Sequence, residues 1–385
     1  MLAVKTTPLN RFITLMYRFI RILVPAFCLL LHGCTGHAPS GTTAAPGIPK
    51  TLPGQPQPIA IAPVGPPPEL SIQPGPGIAD RPDVQAFIAE MGRKHGFDTD
   101  ALHQLFTAVN FQDAILAAIT RPYEAKPWYA YKKLFLTDAR IQGGIEFKQR
   151  NAQALANAEN KYGVSPEIIT AIIGVESSYG KRPGNYRVID ALSTLGFDYP
   201  RRGEFFRGEL EQFLLLCRDE GMDPLKPTGS YAGAMGMPQF MPSSFRRLAA
   251  DGDGDGHRDI WGNPADAIAS VARYFAANGW QTGAPIAVSA KLEGLVSQGL
   301  ASKSLKPDHA LAQFLEMGVV PEEPVDGSPR AALVKLDEEN GPAYWLGFQN
   351  LYAITRYNHS PLYAVAAYEL SKRIASASQL PSTSH

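Results

Sequence analysis

The sequence predicts a mainly helical α+β protein, one large helical body carrying a small β insertion. Three features carry this. Apolar residues recur at helical spacing through most of the chain from Asp83 to Leu370. Period-two alternation is confined to about 284–345, in PIAVSAKL and AALVKLD. Ahead of Asp83 the chain is Pro- and Gly-rich and has too little apolar content to bury a core.

The N-terminus reads as an export signal over residues 1–34. Arg11, Arg18 and Arg21 precede the apolar run Ile22 to Leu31, which is too short to span a bilayer. Met16 gives a more compact signal than Met1. The run closes on Leu31-His32-Gly33-Cys34. Leu, a small residue and then Cys resembles a bacterial lipidation box, in which the cysteine becomes the acylated first residue; His32 departs from the small or aliphatic residue expected there. An ordinary cleaved signal that contains a cysteine, or an uncleaved anchor, is the alternative. Thr35 in place of Asp favours the outer membrane, with the protein on its periplasmic face. Residues 35–82 (GQPQP, VGPPPEL, QPGPG) form a semi-extended tether.

Of three cysteines, Cys28 leaves with the signal and Cys34 takes the lipid, so a disulfide within the mature monomer is excluded. Cys217 then reads as a small core residue. Lys+Arg and Asp+Glu are equal at 36 each, and zero net charge argues against nucleic-acid binding.

The folded domain spans 83–375, before a short tail at 376–385. Helical spacing appears at 83–96, then at 99–111 with Thr99 or Asp100 as cap. A less regular segment groups Trp128, Tyr129 and Tyr131, and one long helix is expected from Ile145 to Tyr162. Further helices are expected over 204–221, 242–250 and 266–278, and the domain closes with SPLYAVAAYELSKR. No internal repeat is present.

The chain is organised around Ser165 to Gly180, SPEIITAIIGVESSYG. Ser165 suits an N-cap, Pro166 the first helical position, and Glu167 the positive end of the dipole. Ile168, Ile172 and Glu176 share a face that Ile169 and Ile173 widen, and Gly180 offers a stop. Glu176 therefore stands where a core residue belongs. Desolvation there raises a carboxyl pKa, as in a glycosidase general acid at about 6. A glutamate paired with a buried Arg or Lys, or one at the rim, is the alternative.

Two other stretches carry chemistry. GSYAGAMGMPQFMPSSF (229–245) is rich in small residues that admit close approach of backbone or ligand. Within it Gln239 is an amide able to bind a sugar acetamido or hydroxyl group, or else is satisfied internally. Asp251, Asp253 and Asp255, with Gly256 sixth, match a calcium loop in which residue 257 offers a backbone carbonyl. The twelfth position is Gly262, so the bidentate glutamate is missing, and Asp266 is the candidate replacement. A solvated acidic turn is the alternative, but alternating aspartates repel without a cation.

Together GVE, the AGAMG…QFMPSS segment, DGDGH and ITRYNHSPLYA resemble the membrane-bound lytic murein transglycosylase B family, from about Asp83 to Leu370. The resemblance implies a lysozyme-like helical core, an additional helical domain and a small β domain. It also implies cleavage of the MurNAc–GlcNAc bond of peptidoglycan with formation of a 1,6-anhydro sugar. It makes Glu176 the single acid/base. It makes Tyr131, Ser230, Gln239, Tyr357, Asn358 and Tyr363 groove-lining or supporting residues, and Arg201 and Arg202 substrate-binding. Asp251, Asp253, Asp255, His257 and Asp266 match the family's metal loop, and calcium is the implied ion. The implied partners are glycan strands, a membrane through the N-terminal lipid, and cell-wall synthesis complexes. A hydrolytic muramidase on the same core, or a non-catalytic calcium-stabilised peptidoglycan-binding lipoprotein, are the rival functions.

Overall fold

The computed structural model describes residues 77–120, 126–294, 300–301 and 305–378. The export signal, Cys34 and all but the end of the tether lie outside the described residues.

The fold takes in the end of the expected tether. Ile78–Asp80 form a 3-10 turn whose Ala79 is fully buried, ahead of α1 (Pro82–His95). Asp98 caps α2 (Thr99–Thr107), accepting from the backbone N–H of Asp100 and Ala101. The cap thus falls one residue before either candidate. After α3 (Asp113–Ile119) and the short α4 (Trp128–Tyr131), the single long helix expected up to Tyr162 is two: α5 (Asp138–Arg150) and α6 (Ala152–Tyr162). Asn151 breaks it, its side-chain amide donating to the carbonyl of Phe147 at 2.8 Å. A side chain that bonds its own helix backbone competes with continuation.

α7 (Pro166–Ser177) crosses the centre, packed on α5 and α6. Its expected one-sided stripe is instead burial all round: Ile168 to Val175 are all buried, as suits a helix through a core. α8 (Val188–Asp198) is buried throughout its first nine residues; with no polar face to set a period, the sequence pattern did not reveal it. α9 (Gly203–Asp219) packs on α8 and on α10 (Pro242–Leu248); α11 (Pro264–Ala277) packs on α6 and α7. The buried Cys217 lies on α9, as expected.

β1 (Tyr186–Arg187) and β2 (Thr228–Gly229) form a small antiparallel pair. The insertion is a five-stranded sheet of order β4-β6-β7-β3-β5. Its strands are β3 (Ala287–Leu292), β4 (His309–Ala310), β5 (Val319–Pro321), β6 (Arg330–Glu338) and β7 (Gly341–Gly347). β6 and β7 form a tight hairpin, Glu338 opposite Gly341. Alternation on β6 divides its side chains between two cores. Val334 and Leu336 join the main helical core, while Ala331 and Leu333 pack with Phe314 of α12 (Leu311–Glu316). α13 (Gln349–Tyr357) and α14 (Pro361–Ser378) close the fold. α14 packs along α7 and α5 and continues three residues into the expected tail.

Candidate active site

Glu176 sits in the last turn of α7, half-buried. Tyr363 of α14 donates its hydroxyl to Glu176 Oε1 at 2.6 Å. Burial pushes the carboxyl up to about 7; the Tyr363 hydrogen bond and the Arg140 guanidinium pull the other way without cancelling it. Tyr363 is itself buried and held well above the ordinary phenol range, chiefly by desolvation and then by the Glu176 charge. It therefore stays a neutral donor.

The helix that ends one residue after Glu176 needs its last carbonyls satisfied. The stop is not Gly180 but Ser178 and Tyr179, both left-handed at φ 51° and 63°. Such backbone is costly for residues with a Cβ, so the surroundings must hold it. Ser177 Oγ donates to the carbonyl of Met237 at 2.7 Å and accepts from the N–H of Gly180 at 3.0 Å. Arg140 of α5 donates from Nη1 to the carbonyls of Gly174 and Val175. In return the Tyr179 hydroxyl donates to the carbonyl of Arg140 at 2.7 Å. The tyrosine ring fits because position 174 is glycine: a Cβ there would lie 2.5 Å from the Tyr179 hydroxyl oxygen. Arg140 and Tyr179 thus lock α5 to the turn that carries Glu176. Sequence reasoning assigned neither residue a role; the adjacent Gly143 and Gly144, which face the same ring, were the available signal.

Around this pair stands an aromatic wall. Tyr357 donates to the carbonyl of Pro238 at 2.5 Å and packs against Tyr274, Phe240 and Phe275. The Glu176 charge raises the hydroxyl pKa of Tyr357 and Tyr274, placing both within its field, though desolvation is the larger cause for each. Tyr131 is fully buried, stacks on Trp128, and is among the groups acting on Tyr363.

The small-residue segment lies beside it. Ser230 Oγ accepts from the N–H of Ala234 at 3.1 Å and of Ala232 at 3.3 Å, shaping a tight turn. Gly229 is required there, since a Cβ would meet the carbonyl oxygen of Ala234 at 2.2 Å. Gln239, left-handed at φ 51°, spends its amide N–H groups on the carbonyls of Pro183 (2.7 Å) and Gly236 (2.8 Å). Internal satisfaction, the alternative of the two readings, therefore holds for its donors.

In the acidic loop the carboxylates of Asp251, Asp253 and Asp255 offer oxygens all within 4.8 Å of one another. Asp266 is not in that group. It is buried at the start of α11 and braces both ends of the loop, accepting from the N–H of Gly252 and of Asp259 at 2.7 Å each. Asp266 thus braces the loop through both carboxylate oxygens and stands outside the three-aspartate cluster. The side chain of His257 is exposed and outside the cluster. Three converging carboxylates of like charge fit a hard divalent cation.

Residues 79–372 match the family model for the transglycosylase SLT domain. The chain belongs to that family. It is 43% identical over 314 residues to membrane-bound lytic murein transglycosylase B of Escherichia coli, covering 79% of this chain and 86% of that protein. Among solved structures it resembles the catenated lytic transglycosylase SltB1 of Pseudomonas aeruginosa, with TM-score 0.75, 47% identity, and coverage of 78% of this chain and 99% of that one. It also resembles the Escherichia coli lytic transglycosylase Slt35 in complex with calcium, with TM-score 0.74, 43% identity, and coverage of 80% and 97%.

Within this transglycosylase fold the remaining expected residues divide into two groups. Asn358 is buried and accepts from the N–H of Ser360, whose own Oγ accepts from the N–H of Tyr363. Both shape the start of α14 and so aim Tyr363. Arg201 is exposed, and Arg202 stacks over Phe205 and Phe206 at the start of α9. Neither is hydrogen-bonded to the Glu176 cluster among the described residues.

Proposed function

We propose that this chain is a peptidoglycan lytic transglycosylase in which Glu176 is the single acid/base. It cleaves the MurNAc–GlcNAc β-1,4 bond and leaves 1,6-anhydro-MurNAc. The observation that carries the assignment of Glu176 is its carboxyl: half-buried, pushed up to about 7, and oriented by Tyr363. Near neutral pH such a group holds a proton to give and then accepts one back.

In the first step Glu176 protonates the glycosidic oxygen as the C1–O bond breaks. The resulting carboxylate, stabilised by the Tyr363 hydroxyl and the Arg140 charge, takes the proton of the muramic C6 hydroxyl. That oxygen then closes on C1. A tethered nucleophile is entropically favoured over a captured water. Among the described residues no second carboxylate acts on Glu176, in keeping with one group serving both steps, unlike the two-carboxylate glycosidase pattern. Tyr131 and Tyr357 build the wall behind the acid, Ser230 the turn beside it, and Gln239 has only its carbonyl oxygen left for a ligand. Arg201 and Arg202 offer cationic and stacking contacts to a strand farther along.

Asp251, Asp253 and Asp255 would hold calcium together with the backbone carbonyl of residue 257, while Asp266 sets the loop. A bound ion would supply charge compensation to the turn between α10 and α11. Residues 1–34 serve as the export signal and 35–76 as a tether, with Cys34 lipidated at the periplasmic face of the outer membrane. This setting brings the enzyme to the sacculus and to cell-wall synthesis complexes.

Mass spectrometry of products from purified sacculi tests the reaction. Anhydro-muropeptides are expected; reducing-end muramic acid would mark a hydrolase instead. Glu176→Gln, which keeps shape but has no proton to deliver, is expected to release neither product. Degradation at the parental rate by this variant would remove Glu176 from the mechanism.

A further inference from the structure

The β insertion has no role in the chemistry above, yet its hairpin reaches the segment that backs the catalytic pair. Alternation on β6 puts Val334, Leu336 and Glu338 on one face. Val334 and Leu336 are buried in the main helical core. Glu338, at the tip of the hairpin opposite Gly341, is therefore already turned toward the helical body. Its Oε1 accepts from Lys132 Nζ at 2.5 Å, and the two side chains are 29% and 31% exposed. The neighbouring pair, Lys133 with Glu339 at 2.9 Å, is 68% and 59% exposed. Solvent screens the exposed pair more than the half-buried one.

Lys132 directly follows Tyr131, and the short segment that carries them touches both partners of Glu176. α4 is four residues long and runs into a 3-10 turn, Lys132–Leu134. A helix of that length does not support itself, so tertiary contacts must hold it. On the inner side Trp128, Tyr131 and Phe135 are buried. Tyr131 acts on Tyr363, the hydrogen-bond donor to Glu176. Phe135 packs against the Arg140 guanidinium at 5.3 Å, and Arg140 holds the last carbonyls of α7. On the outer side α4 lies against β6, with Lys132 on Glu338.

We propose that Lys132 and Glu338 are positioning residues for the reaction: their ion pair straps the α4 segment against the catalytic pair, and the β insertion serves catalysis through this strap. The inference rests on the reading of Glu176 above. Without the pair the segment shifts outward, and Tyr131 and Phe135 lose their register against Tyr363 and Arg140. Tyr363 from α14 and Arg140 from α5 are the groups that favour the Glu176 carboxylate. Tyr357 of α13 and Tyr274 of α11, also within its field, are phenols kept neutral by burial. The strap acts through Tyr131 and Phe135 and not on the glycan, so its loss falls on kcat and not on KM.

The test measures kcat and KM on soluble glycan strands for Lys132→Glu, Glu338→Lys and the double swap Lys132→Glu/Glu338→Lys. Glu338→Gln is the milder change should a charge reversal fail to fold. Each single variant is expected to lower kcat about five-fold at unchanged KM, as befits one lost ion pair. The double swap restores the pair with its polarity reversed and is expected to return kcat to within about two-fold of the parent. Glu339→Lys is expected to leave kcat unchanged, because its pair is exposed. As a readout independent of turnover, the Glu176 carboxyl carbon is titrated by NMR; its midpoint should rise in the single variants and return in the double swap. Parental kcat in the single variants, a loss confined to KM or to Tm, or a double swap as slow as the single variants overturns the strap. Failure of the parent to form anhydro product overturns the transglycosylase reading instead, and the carboxyl titration then still decides the strap, an unmoved midpoint in every variant sinking it.

Discussion

Replacing Glu176 by glutamine should make the protein more stable and should do so only above acidic pH. In the folded state the carboxyl is raised from the ordinary 4.5 to about 7, mainly by burial. Between these values the folded protein keeps a proton that the unfolded chain has released. Stability therefore falls as pH rises through that window. The gap, at about 1.4 kcal/mol per pH unit, amounts to about 3 kcal/mol once both states are ionised. Glutamine carries no such dependence, and its amide oxygen still accepts from the Tyr363 hydroxyl. Urea denaturation of parent and Glu176→Gln at pH 4, 6 and 8 reads the difference directly, since other titrating groups cancel between them. The variant's advantage should be near zero at pH 4 and rise to about 3 kcal/mol by pH 8. A difference that stays flat with pH refutes the claim that burial withholds the charge, and with it the basis for Glu176 as a neutral-pH acid.

Tyr363→Phe removes the hydrogen bond that favours the carboxylate, so the alkaline limb of the pH–rate profile should move up by about one to two pH units while kcat falls; an unmoved limb rules out this contact as a tuner. Gly174→Ala puts a Cβ 2.5 Å from the Tyr179 hydroxyl oxygen, and overpacking there should cost about 1–3 kcal/mol by urea denaturation, with loss of activity as the α5 clamp opens. Parental stability would show that the slot has slack. Chelation should lower the Tm more than it lowers the rate of enzyme that remains folded, and Asp253→Asn should abolish that Tm response. A Tm indifferent to chelation removes calcium from the loop.

Local physics made much of this molecule legible from its residues. Pro166 after Ser165, the isoleucines ahead of Glu176 and the alternation of AALVKLD each predict an element from nearest neighbours, and each element is present. The Asp251-Asp253-Asp255 spacing brings its carboxylates together for the same reason: five consecutive residues need no distant partner to form a loop. The fully buried α8 escaped because a helix with apolar neighbours on all sides leaves no periodic trace.

The tertiary structure decided what depends on contacts across the chain. Tyr363 meets Glu176 from 187 positions away, and Arg140 reaches the end of α7 from another helix. Nothing near Asp266 in sequence foretells that its carboxylate braces Gly252 and Asp259 instead of joining the aspartate cluster. That an acid stands in a core helix could be read from the residues alone, because side-chain polarity and helical period are local. The value at which that acid titrates, and what holds it, follow from desolvation and hydrogen bonds that exist only once distant segments have packed.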